Sequence, residues 1–156
     1  MTETPDDDRM IGVVAEIMAI AAAADTRFPA LESTTDPRLT AWVMLLGDVR
    51  PDDAREAVVR IARRPQLQVM QPGHLLDEIR AMRKERVKAV PDAALVPPDG
   101  LQPGQYPGWL RAARGHIADG RSVEYALEAA DVEFGASRRM IGPTVKRELP
   151  ALGRAV

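Results

Sequence analysis

Asp36-Pro37-Arg38-Leu39-Thr40-Ala41-Trp42-Val43-Met44-Leu45-Leu46-Gly47, followed directly by Asp48-Val49-Arg50-Pro51-Asp52-Asp53-Ala54, carries the punctuation that decides the fold. Proline lacks an amide proton and has a φ already suited to a helix, so it is tolerated at the first helical position and excluded from the interior. Asp36 ahead of Pro37 therefore reads as an N-cap and a helix start. Leu39, Trp42, Val43 and Leu46 recur at three- and four-residue spacing and form one apolar face. Gly47 ends that helix. Pro51 opens the next, whose face is Ala54, Ala57, Val58 and Ile61 and which stops at Pro65. Asp52 and Asp53 fall in its first turn, where carboxylates complement the helix dipole.

The same grammar extends in both directions. Upstream, Thr4-Pro5 followed by Asp6, Asp7 and Asp8 opens a helix over about residues 5–24, with Met10, Val13, Val14, Ile17, Met18 and Ala21 on one face. Downstream, a fourth helix starts near Pro72 and carries Leu75, Leu76, Ile79 and Met82 as a stripe. Residues 66–70 alternate polar and apolar but have no second strand to pair with, so they read as a loop. Residues 4–88 are thus expected to form an all-α bundle of about four helices.

Beyond Met82 the stripe of helix 4 turns cationic. Arg83 and Arg86 fall on the stripe, and Arg80, Lys84 and Lys88 lie to one side of it. Buried guanidinium groups need partners. Either the last two turns project beyond the bundle toward an anionic partner, or the Arg stems run along the core edge with their heads in water. The first reading makes Arg80, Arg83, Lys84, Arg86 and Lys88 a partner-binding surface whose charge can be reversed without unfolding the protein.

Residues 89–107 then hold Pro91, Pro97, Pro98, Pro103 and Pro107 with Gly100 and Gly104, which exclude regular structure. This stretch reads as a Pro-rich linker whose residues 91–107 span on the order of 50 Å when extended, or alternatively as an ordered loop wrapping the domain. Residues 108–156 read as a small helical C-terminal region. Trp109, Leu110, Ala113 and Ile117 mark a helix ending at Asp119-Gly120. Ser122 starts another with Val123, Ala126, Leu127 and Ala130, and Met140, Ile141, Val145 and Leu149 mark a third. The apolar supply is thin, so this region is expected to fold against the main domain or a partner, with Trp109 and Leu110 as candidate partner contacts. The run from Ala126 to Ile141 loosely follows the second half of a helix-turn-helix. Arg138 and Arg139 are accordingly candidate phosphate contacts, although Asp131 and Glu133 occupy the turn.

Composition narrows the function classes. The chain has 156 residues, 46% hydrophobic, with 4% aromatics and no Cys, so disulfides, thiolate metal sites and cysteine nucleophiles are excluded. A net charge of −2 argues against a dominant nucleic-acid binder. The charge is uneven, however: residues 1–59 carry 12 acids against 5 bases, and residues 60–90 carry 8 bases against 3 acids. No GxxxxGK[ST], GxGxxG, HExxH or Gly-x-Ser-x-Gly motif occurs. His74 and His116 stand apart with no ligand spacing around them, and no nucleophile–base pair presents itself. The expectation is a protein that is not an enzyme and uses no cofactor, metal or small-molecule substrate. The acidic N-terminus is unlike a signal peptide, and the longest apolar run, Ile17 to Ala24, is far short of a membrane span. A cytoplasmic protein with no membrane contact is expected.

Residues 36–88 resemble a known family. Trp42 with Leu45-Leu46, Asp48-Val49, Asp53-Ala54 with Ala57-Val58, then Met70, Pro72-Gly73-His74-Leu75 and Ile79 with Arg83 and Arg86 are similar to the N-terminal helical domain of the ATPase-less loaders and inhibitors of the hexameric replicative helicase. These occur in phages and prophages and are also called replisome organisers. That resemblance implies a compact helical domain followed by a tail, with the tail engaging the helicase and the folded domain the replication initiator. The expected function is therefore a non-enzymatic adaptor in phage or prophage DNA replication, with the replicative helicase or the initiator protein as partner. The alternatives are a DNA-binding accessory or regulatory protein making weak DNA contact, and a phage inhibitor of another host protein.

Overall fold

The computed structural model describes residues 5–65 and 68–135, with side chains from Arg9 onward. Among the described residues six α-helices follow one another: α1 (Pro5–Ala24), α2 (Pro37–Leu46), α3 (Pro51–Ala62), α4 (Pro72–Ala89), α5 (Tyr106–Ala118) and α6 (Val123–Glu133). Two short 3₁₀ turns, Asp92–Ala94 and Pro103–Gln105, lie between α4 and α5. The described residues contain no strand, and the fold is all-α. The cap expected at Thr4 and the helix expected over 140–149 lie outside the described residues.

Each of α1 to α4 begins on a proline. At α2 the Asp36 carboxylate accepts the Arg38 amide at 2.9 Å. The Arg38 guanidinium returns to the same carboxylate and donates to the carbonyls of Pro29 (3.1 Å) and Ala30 (2.9 Å). One arginine thus ties the α1–α2 loop to the start of α2. At α4, Gln71 and His74 form a reciprocal cap in which the Gln71 amide donates to His74 Nδ1 at 3.2 Å. Gly47 closes α2 in a right-handed conformation: its φ is −55°, and the chain leaves through a Val49 amide to Leu46 carbonyl bond of 2.9 Å.

α1 packs on α2 and α3, and α4 packs on α3 and α2. Together they enclose a first cluster built from Val13, Val14, Ile17 and Met18 of α1, Leu39, Trp42 and Leu46 of α2, Ala54, Ala57 and Val58 of α3, and Leu75, Ile79 and Met82 of α4. A fully buried aliphatic side chain of this kind contributes about 1.5–3 kcal/mol. Phe28, from the α1–α2 loop, meets Trp42 edge-on with ring centroids 5.7 Å apart. The small residues of α3 let it lie close to both neighbours.

A second cluster follows. Trp109, Ala113 and Ile117 of α5 pack against Ala126, Leu127 and Ala130 of α6. Leu95 is buried in the same cluster, and Val87, Val90 and Leu101 close its edge. Two expectations are corrected here. Residues 89–107 do not hang as an extended linker: Leu95 and Pro98 are buried, and Asp92 pairs with Arg114 at 2.9 Å. The proline-rich stretch is the ordered loop of the alternative reading, because its own leucines give it apolar surface to bury. Nor do the last two turns of α4 project into solvent. Val87 places them against the second cluster, so α4 forms a wall shared by both.

α5 ends at Gly120, whose φ of +76° only glycine adopts without strain. The Gly120 amide bonds the Ile117 carbonyl (2.9 Å) and the Arg121 amide the His116 carbonyl (3.0 Å), the paired bonds of a Schellman turn. This termination aims the Ala118 carbonyl and the Asp119 carboxylate at α4.

Candidate functional site

Arg83 and Arg86 find their counterions within the chain. Arg86 Nη2 donates to Asp53 Oδ1 at 2.7 Å, and Nη1 donates to the Ala118 carbonyl at 3.0 Å. Glu56 lies at 3.4 Å from the same guanidinium. The Arg86 and Asp53 side chains retain only 25% and 4% of their exposure. The hydrogen bond that Arg86 donates to Asp53 raises the Arg86 pKa above its ordinary value against the opposing effect of burial. Arg83 Nη2 donates to Asp119 Oδ1 at 2.6 Å. α3, α4 and the C-terminus of α5 therefore meet at these two guanidiniums, and the helix dipole of α5 adds to the attraction. Arg86 is thus corrected from a partner contact to a clamp that joins the two clusters, and Arg83, 43% exposed, adds an ion pair at the rim of that clamp.

The remaining predicted residues separate cleanly. Arg80, Lys84 and Lys88 form an exposed row along the outer face of α4, spaced four apart. Arg80 pairs with Asp77, three residues back on the same helix, at 2.7 Å, where both side chains are largely in water. Trp109 has 0% exposure, and its Nε1 donates to Asp131 Oδ1 at 2.7 Å. It cannot touch a partner and is corrected to a core residue. Leu110 is half-buried at the edge of the same cluster. Arg138 and Arg139 lie outside the described residues.

Three carboxylates have roles that spacing alone did not reveal. Asp53 receives Arg86, Asp131 receives Trp109, and buried Glu78 is held by both Arg64 nitrogens at 2.7 and 2.8 Å. Asp53 and Asp131 read in the sequence as a dipole complement and a turn residue. Their cross-chain partners stand 33 and 22 residues away. Among the described residues no group of three His, Asp or Glu side chains is placed to hold a metal ion. His74 is a helix cap, and His116 meets the Tyr125 ring edge-on at 5.9 Å.

Two apolar residues off the core face of α2 point outward, of which only Leu45 figures in the sequence reading, through the family resemblance. Met44 is 81% exposed and Leu45 57% exposed, at the C-terminal end of α2. The signal was present: both fall off the Leu39–Trp42–Val43–Leu46 face, so α2 carries more apolar side chains than its core contact requires. In comparison with known proteins, the chain matches no family model, no curated protein and no solved structure. No helix of the described residues is long and apolar enough to cross a membrane.

Proposed function

We propose that this chain is a non-enzymatic protein–protein adaptor of phage or prophage DNA replication that loads or restrains the hexameric replicative helicase. The observation that carries the adaptor reading is the outward pair Met44–Leu45. Of the apolar residues through which 36–88 resembles the loader family, Trp42, Leu46, Ala54, Ala57, Val58, Met70, Leu75 and Ile79 are core and Val49 is partly buried against it. Leu45 is the member left exposed, at 57%. Exposed, adjacent apolar side chains on a well-packed helix are suited to a partner's apolar pocket.

The test is a binding titration of the full chain against the purified host helicase, and separately against the replication initiator. Met44→Asp with Leu45→Asp is expected to keep the melting temperature and weaken one of these interactions tenfold or more. Wild-type chain that binds neither protein would overturn the reading, as would a double variant that binds as well as wild type.

The exposed row Arg80–Lys84–Lys88 supports a second reading, a DNA-binding accessory protein. It predicts DNA affinity that falls steeply with salt, with a log–log slope of about −3 if each cation neutralises one phosphate, and that is lost in the triple Ala variant.

A further inference from the structure

α5, α6 and the wrapped stretch ahead of them form a unit with a core of its own. None of the buried residues of the second cluster is shared with the first. The wrapped stretch belongs to this unit, since Leu95 is buried in its core and Asp92 pairs with Arg114 of α5. Among the described residues the backbone crosses from the bundle to the unit once. It does so at Ala89–Val90–Pro91, where Val90 leaves the helix in an extended conformation (φ −94°, ψ 118°). On α4 the second cluster touches Val87 and Val90, both half-buried.

The rest of the joint is polar. Arg83 meets Asp119 with both side chains partly in water, and Arg86 Nη1 holds the Ala118 carbonyl at 3.0 Å. A Cβ added to Gly120 would lie 3.2 Å from Arg50 Nη1 and 3.7 Å from Arg86 Nη1. Three guanidiniums of the bundle thus ring the C-terminal turn of α5, the negative end of its dipole. Such attraction is screened by salt where it is exposed. A polar joint with one backbone crossing is the ordinary setting for hinged motion of one unit on another.

Opening divides the partners unequally. Arg86 keeps Asp53 and Glu56, which belong to α3. Arg83 loses Asp119 and joins Arg80, Lys84 and Lys88, which face solvent in the closed state. The acids among them are already engaged, Asp77 by Arg80 and Glu85 by Arg60. Cations one helical turn apart in a straight row suit a uniformly charged polyanion better than the scattered carboxylates of a protein. We infer that residues 91–133 form a lid, hinged at Ala89–Val90–Pro91, which in its closed position withholds Arg83 from a nucleic-acid phosphate backbone laid along α4. The ligand rests on the reading of the exposed row as a DNA contact; the hinge does not, and neither involves the Met44–Leu45 face.

The chain has no Cys, so Thr40→Cys on α2 with Glu128→Cys on α6, both exposed positions, gives two unique sites for spin labels. Pulsed electron resonance then reads the distance across the joint. Asp119→Asn weakens the closed state, and Glu124→Gln makes the same charge change on α6 away from the joint. Circular dichroism serves as the folding control. Wild type at low salt is expected to show one short distance. A second, longer distance is expected in Asp119→Asn, in wild type at about 0.5 M salt, and in wild type with a DNA duplex of about 20 base pairs at low salt. Asp119→Asn is expected to bind that duplex at least threefold more tightly than Glu124→Gln does. An unchanged distance under all three conditions would overturn the lid while leaving the exposed row free to bind DNA. Equal affinities of the two variants would remove Arg83 from the binding face and overturn the proposal. So would a lengthening produced by poly-glutamate and not by the duplex, which assigns the face to an acidic protein. If Asp119→Asn does not fold, the salt and duplex arms on the wild-type sequence decide.

Discussion

Arg86 satisfies acceptors from two other helices at once, so its removal costs more than its own contacts. Arg86→Ala leaves Asp53 as a buried, unpaired carboxylate and removes a donor from the α5 C-terminus. Loss of one partner of such a pair is expected to destabilise by about 3 kcal/mol, read as a shift of the urea midpoint. Arg83→Glu with Arg86→Glu, which sequence reasoning treats as neutral to folding, is expected instead to unfold the protein or release α5, since it sets carboxylates against Asp53 and Asp119. Trp109→Phe keeps most of the buried ring but leaves Asp131 without its indole donor, a loss of about 1–3 kcal/mol. Asp131→Asn, which still accepts that bond, is expected to cost less. Asp36 sets a pH dependence. Its hydrogen bonds with the Arg38 side chain and then the Arg38 amide lower its pKa from an ordinary value near 3.8 to about 2. The folded value lies below the unfolded one, so its stabilisation is complete above about pH 4 and disappears as pH falls through about 2. The stability difference between wild type and Asp36→Asn is expected to close over that interval in acid titrations followed by circular dichroism.

Among the elements, α2 and α4 show how one helix serves two neighbours. α2 buries Leu39, Trp42 and Leu46 and leaves Met44 and Leu45 in water. Trp42→Ala is expected to cost about 3–5 kcal/mol, as for other large aromatics in cores, while changes at Met44 or Leu45 are expected to stay within about 0.5 kcal/mol. Comparing these melting temperatures separates the packing face from the outward one. α4 buries Leu75, Ile79 and Met82 in the first cluster and lends Val87 to the second. Its hydrophobic period was legible, and so was the place where cations enter the stripe. Which anions neutralise them was not, because Asp53 and Asp119 lie 33 and 36 residues away and no local pattern couples them.

For the whole molecule, two apolar clusters share the wall made by α4 and are locked by Arg83, Arg86 and the wrapped segment 89–107. A flexible tether would make Leu95 irrelevant to stability. Leu95→Ala is instead expected to cost about 2–4 kcal/mol and to lower the melting temperature of the second cluster. The fluorescence of Trp42 and Trp109 reports the two clusters separately once one Trp is replaced by Phe. Coincident transitions in wild type, moving apart in Arg86→Ala, are the expected signature of the clamp.

The helices themselves are a local matter. Prolines at first positions, Asp36 and Ser122 as caps, Gly120 as a stop and the three-and-four spacing of apolar residues determined where α1 to α6 run, because each of these signals acts through neighbours within a turn or two. Only the tertiary structure decided what the charged and half-apolar residues do. Arg86, Asp53, Asp131 and Trp109 read one way in isolation and another once α5 is folded back onto α4. Electrostatic and packing partners are chosen by proximity in space. Only there could a row of surface cations be divided into a clamp at Arg83 and Arg86 and a solvent-facing row at Arg80, Lys84 and Lys88.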